Sequence, residues 1–321
     1  MNKIMIRTKP LNTGTHSNPV PAAPALSRAG KLRKYRHFYL FVSPFFILFG
    51  VFGLFPVIFS FAISFADWDG LTKMRWVGLG NFVELAGDDM LRTALWNTLI
   101  IGLLHIPIIM VLSFVFAQML NAQWLKLKGF YRAAVFLPCV TPMVVIAIVF
   151  GLLFSPERGV LNYGLSFFHV HAIPWVTSET WSKISVAILV IWRWTGYNMV
   201  LMLAALQGIS EDYYEAASLD GANGFYQMVY ITVPLMRPIF RLCLLLSAIG
   251  TLYMFDEPFV LTNGGPGISS TNLGIYLFKI SFDDFHFGYA SCVAYTVATV
   301  VFIGTIIANK ITARREAKAR S

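Results

Sequence analysis

The stretch Tyr214-Glu215-Ala216-Ala217-Ser218-Leu219-Asp220-Gly221-Ala222-Asn223-Gly224, followed by Ile231-Thr232-Val233-Pro234-Leu235-Met236-Arg237-Pro238, is a polar island in an apolar chain. Ser210 offers an N-cap, and Glu211 and Asp212 fall in a first turn where carboxylates suit the positive end of a helix dipole, so Glu211 to Leu219 is predicted helical. Gly221 ends that helix, because glycine takes φ > 0 without steric cost, and Asp220-Gly221 then makes a sharp corner. A second short helix is expected from about Ala222 toward Tyr230. Pro234 and Pro238 suit the opening turn of the element that follows, where a missing N–H is harmless. From the residues alone this is a helix-turn-helix lying between two apolar runs.

Working outward, those runs are membrane spans. Of 321 residues, 57% are hydrophobic and only 13% charged, too few to cover a water-soluble surface. Upstream lies span four, about 184 to 206; downstream lies span five, about 239 to 259. The run 38 to 66 would measure roughly 43 Å as a helix against about 30 Å of hydrocarbon, too long for a signal-peptide core, and reads as a tilted first span. Span two covers about 95 to 120. Span three, 133 to 154, is expected to kink at Pro138 and Pro142, and span six covers 289 to 308.

Charge orients these spans. Lys31, Arg33, Lys34 and Arg36 precede span one with no acidic residue before Asp67, Lys126, Lys128 and Arg132 lie between spans two and three, and Lys310, Arg314, Arg315, Lys318 and Arg320 follow span six. By the positive-inside rule both termini are cytoplasmic. The net charge of +9 reflects this topology; it does not form a helix face for nucleic acid. Residues 67–92, 155–182 (with a short surface helix) and the turn cluster Asn263-Gly264-Gly265-Pro266-Gly267 are placed outside. The domain reading is a disordered basic tail over 1–36, a six-helix domain over 37–309 and a basic tail over 310–321.

Glu-Ala-Ala-x-x-Asp-Gly-Ala with a proline about a dozen residues later resembles the signature loop of ABC importer permeases, and Leu-Thr-Asn-Gly-Gly-Pro and Val77-Gly78-Leu79-Gly80-Asn81-Phe82 resemble sugar-type members. The resemblance covers about residues 38 to 309. It implies an all-α, six-span permease of the bacterial cytoplasmic membrane, with the loop over 211–234 coupling it to a separate ATPase through Glu215, Ala216, Ala217, Asp220, Gly221, Ala222 and Pro234. The implied partners are a second homologous permease subunit, two ATPase subunits carrying ATP and Mg, and an extracytoplasmic binding protein that delivers a sugar or related polyol; no cofactor is expected on this chain. Gly224-Phe225 and Met228 depart from the residues common in relatives and put in doubt only how the second short helix packs.

No chemistry of its own is evident. Gly30-Lys31-Leu32 lacks the first glycine and the hydroxyl of a P-loop. Cys139, Cys243 and Cys292 are scattered in apolar runs and read as core residues, and His105 reads as a hydrogen-bonded packing residue. Arg193 costs about 2.5–3.5 kcal/mol inside a span and should face a cavity, a carboxylate or the aqueous edge. With Trp192, Tyr197 and Asn198 it marks either a substrate path or an interfacial anchor. Ser247, Thr251 and Met254 share a face of span five and either line that path or mediate helix contacts. Carriage of another solute (a glycerol-phosphate-like ester, an amino acid or a peptide) and a membrane enzyme or sensor subunit stand as alternatives.

Overall fold

A computed structural model describes residues 35–157 and 159–320, with the side chains of the last helix described through Ile307 and at Lys310. Of the expected tail over residues 1–36, residues 1–34 lie outside the described residues, and Arg36 begins the first helix. Among the described residues two compact units are distinguished, divided between Ile58 and Phe59, and the site geometry lies in the second. The regular elements of the described chain are helices apart from one two-rung hairpin, β1 (Ala66–Asp67) paired antiparallel with β2 (Arg75–Trp76). Among the described residues four helices are long and apolar enough to cross a membrane unbroken: α1 (Arg36–Ile63), α3 (Asp89–Asn121), α7 (Glu179–Leu206) and α13 through Phe287–Ile307. Two bent pairs bring the number to six if each is one span: α4 (Lys128–Val140) with α5 (Met143–Leu153), and α9 (Gly224–Leu235) with α10 (Arg237–Leu252).

Prolines account for the irregularities. In α1 the turn Gly50–Leu54 is widened so that Phe55 N–H reaches the Gly50 carbonyl, one turn ahead of Pro56, whose ring would crowd a regular helix. The kink expected in span three is a near right angle of 96°. Thr141 is extended (φ −73°, ψ 132°) because Pro142 disfavours the helical conformation in the residue before it. Span five ends at Leu252 and not near Phe259; Tyr253 to Phe255 interrupt it, and Asp256–Thr262 form a separate helix, α11. α13 continues as helix to Arg320, past the expected boundary at 309.

Helices α3 and α7 form the centre of the second unit. At one end Ala117 and Leu120 of α3 pack with Met199, Met202, Leu203 and Leu206 of α7 and with Met236 and Cys243, all buried. Cys292 is also buried and Cys139 partly so, as expected of core thiols. Ser113 Oγ donates to the Thr195 carbonyl across the two helices at 2.8 Å. Gly196 lets α7 approach α4 closely, since a Cβ there would lie 2.1 Å from the Val135 carbonyl oxygen.

The segments expected outside are clamped by buried amides and one carboxylate. Asn81, in the short helix α2 (Gly80–Ala86), donates to the carbonyls of Ser64 and Ala66, and Asn97 to those of Ile268 and Thr271. Asn162, in the short helix α6 (Val160–Ser166), donates to Pro156 and Ile173 carbonyls and accepts from Trp175 Nε1. Asp88 caps α3 by accepting from Leu91 N–H at 2.9 Å, and its other oxygen accepts the hydroxyls of Tyr276, in α12 (Leu273–Phe278), and Tyr289, in α13. Buried backbone carbonyls must find donors, and the three asparagine amides supply them where no regular helix can.

Candidate functional site

The loop between α7 and α10 forms two short helices. The first, α8 (Asp212–Leu219), begins one residue later than expected: Glu211 is already helical in backbone, and Ser210 Oγ accepts from Asp212 N–H at 3.3 Å. Its end is a Schellman corner, with Ala222 N–H donating to the Ala217 carbonyl at 2.9 Å and Gly221 N–H to Ser218 at 3.1 Å. Gly221 has φ +82°, as the corner requires. Helix α9 starts at Gly224, two residues after the expected Ala222, because the Asn223 side chain accepts from both Phe225 and Tyr226 N–H at 3.1 Å. That asparagine was legible as a capping residue type and was not used.

Pro234 does not open the membrane helix; it lies near the end of α9, beyond a widened turn at Met228–Thr232. Pro238 occupies the first turn of α10, and between the two the chain bends by 64° at Met236. The two short helices are tied together by Gln227 Nε2, which donates to Ser218 Oγ at 2.8 Å and the Ala222 carbonyl at 3.1 Å, and by a 2.9 Å hydrogen bond between the Tyr214 and Thr232 hydroxyls. Glu215, Ala216 and Asp220 face outward beside Leu219, 90% exposed, and an aromatic ridge of Phe225, Tyr226 and Tyr230. An exposed apolar patch of this kind, rimmed by carboxylates, is the character of a protein-binding surface.

A second feature lies between α3, α7, α10 and α11: a cleft of about 510 Å³. It brings together Arg193, Tyr197, Asn198, Ser247, Thr251 and Met254, the last although it lies past the end of α10. Trp192 is not part of it; its ring packs on Phe150 at 5.3 Å and is half-exposed, one helix position from Arg193 and so on a different face. The carboxylate that Arg193 required is Glu257, at 2.9 Å, with side chains 14% and 6% exposed. Trp194 Nε1 donates to the same Glu257 oxygen at 2.9 Å. Sequence reading missed Glu257 because it sat inside the run assigned to span five, although an acidic residue at that depth was itself a signal for a partner.

His105 also lines the cleft. Its Nδ1 lies 2.7 Å from the Ile101 carbonyl, which only accepts, so Nδ1 carries a proton; Nε2 shares a 3.1 Å hydrogen bond with Thr251. No group of three or more His, Cys, Asp or Glu side chains placed to hold a metal occurs among the described residues. Two of the helices that carry cleft residues, α7 and α10, are also the two stems of the loop.

Residues 124–316, which take in the loop, both of its stems and most of the cleft, match the family described as binding-protein-dependent transport system inner membrane component. This chain belongs to that family. The permease is 36% identical over 270 residues to the lactose transport system permease protein LacF of Rhizobium radiobacter, covering 83% of this chain and 90% of that protein. It is 32% identical to the arabinooligosaccharides transport system permease protein AraP of Bacillus subtilis (strain 168), covering 94% and 97%. Its fold matches that of a bacterial ABC transporter involved in the import of the acidic polysaccharide alginate, with a TM-score of 0.76 and 23% identity over 88% of the permease and 97% of that chain.

Proposed function

We propose that this permease is the membrane-spanning subunit of an ATP-driven importer that takes up a sugar or related polyol handed over by an extracytoplasmic binding protein. The names of LacF and AraP support the sugar class, and the solved alginate transporter has also been seen with a pentasaccharide-bound periplasmic protein. The observation that carries the reading is the junction of loop and cleft. Met236, at the foot of α10, is packed into the same buried cluster as Leu206, at the end of α7. A push on the exposed loop therefore reaches two of the helices that line the cleft, α7 and α10.

In this reading the six spans leave both termini in the cytoplasm of a bacterial cell, and the 211–234 loop docks on an ATPase. A second permease and two ATPase subunits complete the assembly, with ATP and Mg held by the ATPases and no cofactor on this chain. ATP binding draws the two loops together and rocks the helices from inward-open to outward-open. The test is to purify the C-terminally tagged protein from native membranes in mild detergent and identify its companions by mass spectrometry. Recovery of an ATPase with a P-loop and a second six-span protein, lost on replacing Glu215 and Gly221, is the expected result; a protein that emerges alone overturns the reading.

A further inference from the structure

Residues 122–127 join α3 to α4 beside the loop, where Gln123 borders the same pocket as Glu211, Glu215 and Leu219. Leu125 packs against the buried cluster that holds Ala117, Leu120 and Met202, and Lys128 Nζ donates to the Asn121 carbonyl at 3.3 Å, so the turn is fixed in place. Its other large side chains are exposed: Trp124, Leu127 and, at the start of α4, Phe130. Leu127 is also left-handed, with φ +58° and ψ +34°, a conformation disfavoured for leucine. With the residue 74% exposed, no packing within the chain offsets that conformation, so the apolar contact that does is to be sought outside the chain.

Charge identifies the occupant. Residues 90–156 contain no aspartate or glutamate. Lys126 and Arg132 are exposed and take part in no ion pair among the described residues, not even with Glu211 or Glu215. The exposed surface then changes character along α4, from Phe130, Tyr131 and Arg132 to Ala133, Ala134, Leu137 and Val140. A cationic and aromatic rim that gives way to apolar surface within two turns follows the passage from headgroups to hydrocarbon. A contact with an ATPase needs no such gradient.

We propose that the segment 124–132 is a docking site for an anionic phospholipid, with Lys126 and Arg132 holding the headgroup phosphate and Leu127 and Phe130 meeting the acyl chains. The lipid stands beside the loop that the importer reading assigns to the ATPase, and the site rests on that reading only for its leaflet, the cytoplasmic one.

The test uses the tagged protein with its companions in nanodiscs, carrying Gly129→Cys labelled with bimane. Gly129 is exposed, and a Cβ there meets nothing within 4 Å. The signal is corrected for labelling of the unaltered protein, whose thiols are buried or partly so. Doxyl-labelled phosphatidylglycerol or phosphatidylcholine is added at equal mole fraction, and quenching reports which lipid lies at the site. Phosphatidylglycerol is expected to be enriched about fivefold or more, the weight of roughly one cation at a membrane surface. K126Q/R132Q should bring the ratio to about one, K126R/R132K should keep it, and salt at about 1 M, where screening acts within about 3 Å, should remove most of it.

Equal quenching by the two lipids, or a preference that K126Q/R132Q leaves unchanged, overturns the proposal. Absence of quenching by either lipid, with the label shielded from aqueous iodide only when the ATPase is bound, overturns it in favour of a protein contact. Subunit composition and ATPase activity are read on the same preparations. An assembled, ATP-hydrolysing complex without lipid preference defeats this inference alone, whereas a protein that purifies without companions and still prefers phosphatidylglycerol keeps the lipid site and defeats the importer reading.

Discussion

A Cβ added to Gly221 would meet nothing within 4 Å, so the demand for glycine there is conformational only, from φ +82°. An L side chain in that region costs roughly 1–2 kcal/mol, less for asparagine and more for a β-branched residue. Gly221→Val is therefore expected to abolish ATPase recovery in the tagged purification, and Gly221→Asn to retain most of it. Gly196 is the opposite case, a steric demand with ordinary backbone. Gly196→Ala drives a methyl group into the Val135 carbonyl and should lower stability by about 1–3 kcal/mol, seen as a lower thermal midpoint in detergent. At the ion pair, Glu257→Ala leaves the Arg193 charge buried without its partner, and a loss of about 3–5 kcal/mol is expected in the same measurement.

Among elements, the start of α3 is fastened to α12 and α13 through Asp88. Burial raises the Asp88 carboxyl, but the hydroxyls of Tyr276 and Tyr289 and the N–H groups of Leu91 and Met90 outweigh it and hold it below its ordinary value of 3.8. Burial first, and then the bond to Asp88, push the Tyr276 phenol well above its usual range. Because the carboxyl value is depressed on folding, its contribution to stability is complete above about pH 4 and is lost as pH falls through the lowered value. The protection factor against hydrogen exchange at residues 88–92 and 273–278, taken relative to the intrinsic rate at each pH, is expected to stay constant from neutral pH to about 4.5 and to fall below about 4. In Asp88→Asn protection is lower throughout and this step is absent. The loop between α7 and α10 carries a second prediction at this scale. Leu219→Cys, at an exposed position on a chain whose native thiols are buried or partly buried, should react readily with a maleimide in the isolated subunit and be protected in the assembled complex.

For the whole molecule, membrane thickness is the governing length. α4 and α5, at 13 and 11 residues, reach about 20 and 16 Å, and neither crosses about 30 Å of hydrocarbon by itself. Bent by 96°, the pair presents Leu137, Val140, Val144, Ile148 and Leu152 outward, a surface suited to lipid or to a second permease. If both termini are cytoplasmic, a C-terminal reporter that is active only in the cytoplasm should be active when fused after Ser321. A reporter inserted at Gly267, in the turn between α11 and α12, should be inactive; the reverse pattern would invert the topology.

The local features were legible in the order of the residues. Apolar length gave spans one, two, four and six, since a helix satisfies its own backbone wherever water is absent. The left-handed corner at Gly221 and the turn cluster at residues 263–267 followed from residue type, because φ > 0 is a property of single residues. The loop residues and the family followed from a short contiguous motif. How sharply α4 turns from α5 and where α10 stops came from packing, because the outcome at a proline depends on what neighbouring segments offer to the freed carbonyls. Packing alone found Glu257 for Arg193, 64 positions away, and set Trp192 apart from its neighbours. A charge in a span announces that it needs a partner, but the identity of that partner, and the face on which it waits, are fixed only when the helices pack.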